Sequence, residues 1–173
     1  MKNLSTTQQY FLCILKKNGK ISSLEMEKTT CLAASAVVEL LMEDILAFDG
    51  KKLSIQVALP EEKSYLRQVY DVVVKKQPVK FENAIEYFSF NFTDKYINRL
   101  IEDIGESLAE LGCVRKEKGG FMNGKTLYIP NEADVDHIVQ NIRAELLNPQ
   151  NELIHKATEY IDTLFLMFIV AIS

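Results

Sequence analysis

The residues of this chain most able to do chemistry are two histidines, three cysteines and a few rows of carboxylates. His137 lies beside Asp134 and Asp136, and both it and His155 fall in expected amphipathic helices. A metal site would need a third ligand at helical spacing, and nucleophilic catalysis would need a base held by an orienting partner. The pattern offers neither. Cys13, Cys31 and Cys113 are odd in number, far apart and flanked by apolar residues. That is how buried thiols of a reducing compartment are spaced, not a disulfide framework or a zinc site. Gly119-Gly120 runs into Phe-Met-Asn-Gly rather than the Lys-Ser/Thr of a phosphate loop. Glu102-Asp103, Glu106 and Glu110 recur one turn apart on a single expected helix, as a solvated face does. The expectation is a protein that binds rather than catalyses, with no metal and no cofactor.

The best binding candidate is an expected hairpin over Cys113–Pro130. Phe121 and Met122 stand at its turn, where polar residues are usual, and Arg115, Lys116, Lys118 and Lys125 flank them. Apolar tip residues ringed by cations suit partial insertion into an anionic membrane surface, which needs buried apolar area together with attraction to headgroups. Alternatively, Phe121 folds back onto the domain or packs on a second subunit. From Gly112 to Pro130 four cations face one carboxylate, a local net of +3, whereas residues 131–162 carry two cations against seven carboxylates, a net of −5. The whole chain is at −4. A nucleic-acid partner is disfavoured, because phosphate binding calls for basic surface.

These residues need a scaffold. The chain has 173 residues, 47% of them hydrophobic, enough for one domain with a real core. Apolar spacing predicts a mainly α fold: a helical domain around a buried central helix, with one or two short β-hairpins. Ser5 to Gln8 reads as a capping box opening a helix over Thr6–Lys17. A short helix is expected from Ser22, then the central one from Cys31 to Glu43. Asp49-Gly50 between two apolar alternations predicts a hairpin. Helices follow over Glu61–Lys76, Phe81–Phe88 and Thr93–Leu111, with Gly112 as the last one's C-cap. The tail is helical over Glu132–Leu147 and again from Asn151.

Each hairpin follows a helix, so two winged-helix-like halves, 1–60 and 61–130, with a helical tail over 131–173, are one way to divide the domain. On that reading Thr29 to Leu41 would be a recognition helix, yet it offers few of the polar and basic side chains a major groove requires. The apolar run Leu164–Ile172 falls short of the roughly 20 residues of a spanning helix. It reads as a core helix or one arm of a homo-oligomer interface. The polar start, with no apolar signal core, points to a cytoplasmic protein.

Three stretches together resemble the Golgi phosphoprotein 3 family of peripheral membrane proteins: LSTTQQYFLCILKKNGKIS, AASAVVELLMEDILAFDGKKLSI and ESLAELGCVRKEKGGFMNGKTLYIPN, followed by a tail with NIRAELLNPQ. The resemblance covers nearly the whole chain. It implies a mostly helical fold around a buried central helix and a non-catalytic adaptor at the membrane. In the eukaryotic members it also implies phosphatidylinositol 4-phosphate recognition by a Trp and several Arg, with an apolar hairpin touching the bilayer. Those headgroup positions fall at Leu24, Ala33, Ile101 and Asp103, none of which keeps the family residue. Arg is the side chain suited to bidentate phosphate contact, and Asp would repel it. Arg99 is the nearest replacement cation on the same helix.

Overall fold

The computed structural model describes residues 3–21, 26–89, 95–119 and 124–146. Ser5 caps α1 (Thr6–Ile14): its hydroxyl accepts from the Gln8 amide, and the Gln8 side chain accepts from the Ser5 amide at 3.0 Å. The helix stops three residues before the expected Lys17. Leu15 turns extended, and hydrogen bonds between Lys16 and Lys20 and between Gly19 and Lys16 close a tight turn there. The expected start of a short second helix, Ser22 to Glu25, lies outside the described residues. What is described is one uninterrupted central helix, α2 (Met26–Met42), beginning five residues earlier than Cys31.

The strands β1 (Leu46–Phe48) and β2 (Lys52–Ile55) form the first hairpin, joined through Asp49-Gly50 as expected. Phe48 pairs with Leu53, so the loop is longer than a two-residue turn. Asp49 shapes it by accepting from the amides of Lys51 and Lys52 at 2.8 and 2.7 Å. The expected helix over Glu61–Lys76 is a 3-10 segment, Glu61–Leu66, running into α3 (Arg67–Lys76). Its apolar residues Tyr65, Leu66, Val69, Val72 and Val73 are all buried. A short strand, β3 (Val79–Lys80), then joins β2 antiparallel, a third strand that the sequence pattern did not signal. The helices α4 (Phe81–Ser89) and α5 (Lys95–Glu110) lead to the second hairpin, β4 (Val114–Lys118) and β5 (Thr126–Pro130), and α6 (Glu132–Leu146) follows.

Two junctions in this order share one backbone design. At the end of α2 the Ile45 amide donates to the Leu40 carbonyl and Asp44 to Leu41, with Asp44 at φ 54°. At the end of α5 Cys113 donates to Leu108 and Gly112 to Ala109, with Gly112 at φ 66°. Both are Schellman closures, which consume the last free carbonyls of a helix and turn the chain sharply. The hairpin that follows closes the same way in each case: Gln56 donates to Ile45, and Asn131 donates to Cys113, each at 2.9 Å.

The core lies around α2. Every residue from Leu32 to Leu41 is buried, and small residues at Ala33, Ala34, Ser35 and Ala36 let α1, α3, α4 and α5 approach it. A helix buried on most sides has no need of a polar face. Tyr10, Phe11, Leu12, Leu40, Leu66, Leu100, Ile104 and Leu108 complete one continuous cluster, to which α6 adds Ile138 and Ile142. Burying each large apolar side chain contributes about 1.5–3 kcal/mol. No helix among the described residues is long and apolar enough to cross a membrane.

Candidate functional site

The second hairpin is held on α5 by one close approach. Tyr128 lies flat enough on Gly105 that a Cβ there would come within 2.5 Å of its ring, so only glycine fits. Its hydroxyl lies 3.0 Å from Glu106 Oε1 and 3.3 Å from the Glu102 carbonyl, and its ring meets Phe11 edge-on at 6.4 Å. The anchor leaves β4 outside: after Val114, Arg115, Lys116, Glu117 and Lys118 are exposed in succession. A charged edge strand is also a guard against unwanted strand pairing.

The five candidate cations are not one cluster. Arg115 pairs with Glu117 at 2.7 Å on its own strand, and Lys116 pairs with Glu106 at 2.8 Å across to α5. The Lys116 ammonium and the Tyr128 hydroxyl hold the Glu106 carboxyl below its ordinary value. Lys118 is exposed at the end of β4, and Lys125 reaches Asn98 Oδ1 on α5 at 3.3 Å. Arg99 sits elsewhere on α5, close enough to Asp103 for its charge to favour that carboxylate. Phe121, Met122 and Leu24 lie outside the described residues, as do His155 and the apolar run Leu164–Ile172. His137 is exposed on α6 beside Asn141.

The three described positions implied to hold a headgroup do not converge. Ala33 is fully buried in α2. Ile101 is half-buried and lines a groove of about 380 Å³ below the hairpin, walled by Leu15, Ile21, Leu127, Lys20 and Lys125. Asp103, two residues on, accepts from Gln68 at 3.2 Å instead, and burial pushes its carboxyl up. Helix positions two apart do not share a face, so Ile101 and Asp103 cannot build one pocket.

Sequence reasoning missed the most buried charged side chain among the described residues. Glu39, 3% exposed, accepts from Tyr65, from Lys63 at 3.1 Å and from the Thr7 amide at 3.1 Å. Lys63 also reaches Glu43 at 2.8 Å. Burial alone would raise the Glu39 carboxyl, but the hydrogen bonds from Tyr65 and Thr7 outweigh it and hold the group below its ordinary value. A buried carboxylate needs partners, and the lone Glu in an apolar run was the available signal. A 560 Å³ cleft opens beside this group, between the N-terminus of α1 and the ends of α2 and α5.

Buried central helix, paired Schellman junctions and basic hairpin follow the order of the three resembling stretches. The family model described as Golgi phosphoprotein 3 (GPP34) matches residues 7–171. The chain belongs to the Golgi phosphoprotein 3 family. No curated protein matches it. For a Golgi phosphoprotein 3 family member, then, the central helix is where the family resemblance implies, while the described headgroup positions, Ala33, Ile101 and Asp103, are divided between the core, a groove and a Gln-bound carboxylate.

Proposed function

We propose that this family member is a non-catalytic, cytoplasmic peripheral membrane protein, an adaptor that meets anionic lipid through its second hairpin. The observation that carries the reading is the exposed basic strand β4, anchored by Tyr128 on α5, within a chain that matches the family over residues 7–171. Phe121 and Met122 supply the apolar insertion, and Lys118 and Lys125, with Arg115 and Lys116 behind them, supply the headgroup attraction. Recognition of a phosphoinositide in the eukaryotic manner is not part of this reading, because Ile101 and Asp103 give no convergent phosphate donors.

A winged-helix regulatory role is the weaker alternative. Its recognition helix would be α2, whose residues 32–41 are all buried and have no side chain to offer a groove. Co-sedimentation tests the preferred reading. The full chain should pellet with vesicles containing phosphatidylserine, not with pure phosphatidylcholine, and added salt should release it. Phe121→Ser with Met122→Ser should abolish pelleting. Undiminished pelleting of that double variant would remove hairpin insertion from the account.

A further inference from the structure

Two cavities compete for a ligand. The cleft beside Glu39 has its central polar groups already paired with one another, Glu39 with Lys63, Tyr65 and Thr7. The groove under the second hairpin is built in the opposite sense. Leu15, Ile21, Ile101 and Leu127 give it an apolar wall, and Lys20 and Lys125 stand exposed among its lining residues. The chain carries 24 carboxylate side chains against 20 cations, yet none of the groove's lining residues is Asp or Glu. Apolar wall and cationic rim are complementary to a molecule with an apolar chain and an anionic head.

We propose that this groove binds a single-chain anionic amphiphile of the fatty-acid type, its chain against Ile101 and Leu127 and its carboxylate between Lys20 and Lys125. About 380 Å³ lies near the small end of the range of ligand sites, which suits one chain rather than the two of a phospholipid. Lys125 keeps donors for a ligand, since an ammonium has three and Asn98 takes one. Ile101 is half-buried, so a chain in the groove covers apolar surface that faces water. The proposal rests on the lipid-binding reading above, at the base of the same hairpin, and gives it a second contact distinct from the tip.

Titration of the full chain with monomeric dodecanoate, followed by calorimetry, tests it. Dodecanoate should bind, octanoate more weakly, with a gain of at most about fourfold for each methylene that enters the groove. Lys20→Gln with Lys125→Gln, both exposed side chains, should weaken dodecanoate by roughly tenfold or less and leave dodecanol unchanged. Ile101→Glu should abolish binding of dodecanoate. Absence of dodecanoate binding, or equal binding by Ile101→Glu, overturns the groove. The Phe121→Ser, Met122→Ser variant separates the two readings: it should lose vesicles and keep dodecanoate. Vesicle binding by the wild type without dodecanoate binding overturns the groove alone, and dodecanoate binding without vesicle binding overturns the membrane reading alone.

Discussion

The two helix-to-hairpin units of this protein share a backbone junction and differ in what the hairpin is used for. In the first, β2 is covered by β3, the Gln77 side chain accepts from the Ile55 amide at 2.9 Å, and Phe48 meets Phe81 edge-on. That hairpin is built into a three-stranded sheet, with Leu46 and Leu53 buried and its outer end from Phe48 to Lys52 exposed. In the second, β4 and β5 pair with no further strand among the described residues, and a run of charged side chains faces outward. Helix α1 lies between the two and bonds to matching positions: the Thr7 amide donates to Glu39 of α2, and the Gln8 side chain donates to Ser107 of α5. Both Glu39 and Ser107 stand one residue before the carbonyl that closes its Schellman turn. The same local geometry therefore fixes a hairpin's direction, while the side chains placed on it decide whether it becomes core or surface.

The difference can be broken at its strongest point first. Glu39→Ala should cost about 3–5 kcal/mol in urea unfolding, because Lys63 and Tyr65 are left without their buried acceptor. Ser107→Ala, at the matching position, should cost about 1 kcal/mol, and equal losses would remove the contrast. The Glu39 carboxyl also sets a pH dependence. Its folded-state value lies below the unfolded one, so its contribution is complete at neutral pH and is lost as pH falls through the carboxylate range. Unfolding measured across that range should show a steeper acid loss for the wild type than for Glu39→Gln.

Next in size is the anchor of the second hairpin. Gly105→Ala drives a methyl into the Tyr128 ring and should cost about 1–3 kcal/mol by thermal unfolding. At the matching place on α2 the chain carries Val37, fully buried. Smaller again is the turn itself. Gly112→Asp should lose about 1 kcal/mol at a left-handed φ. Asp44→Gly should gain no more than about 0.5 kcal/mol, since Asp tolerates that conformation. If the two reciprocal changes had equal and opposite effects, the junctions would differ only in that residue.

Much of the scaffold was legible in the residues. The capping box at Ser5, the hairpin turn at Asp49, the cap at Gly112 and the inward stripe of α3 are local signals, and local physics forms them. What escaped were pairings between distant segments. Strand β3 is two residues long and exists because β2 is beside it. In the sequence Glu39 is one polar residue in an apolar run, and its partners Lys63 and Tyr65 come from another element. The basic stretch Gly112–Pro130 does not contain Glu106, which α5 brings to Lys116. The groove under the hairpin was invisible for the same reason, since Lys20, Ile101 and Leu127 come from three elements.

The central claim is that the second hairpin, and not the first, meets the membrane. The most direct measurement places an environment-sensitive fluorophore at Met122→Cys in one sample and at Lys51→Cys in another, with the wild-type chain labelled in parallel as background. On addition of phosphatidylserine-containing vesicles the account predicts a blue shift and brightening at position 122 and no change at position 51. The same response at both positions, or none at 122 while the protein is bound to vesicles, would contradict it.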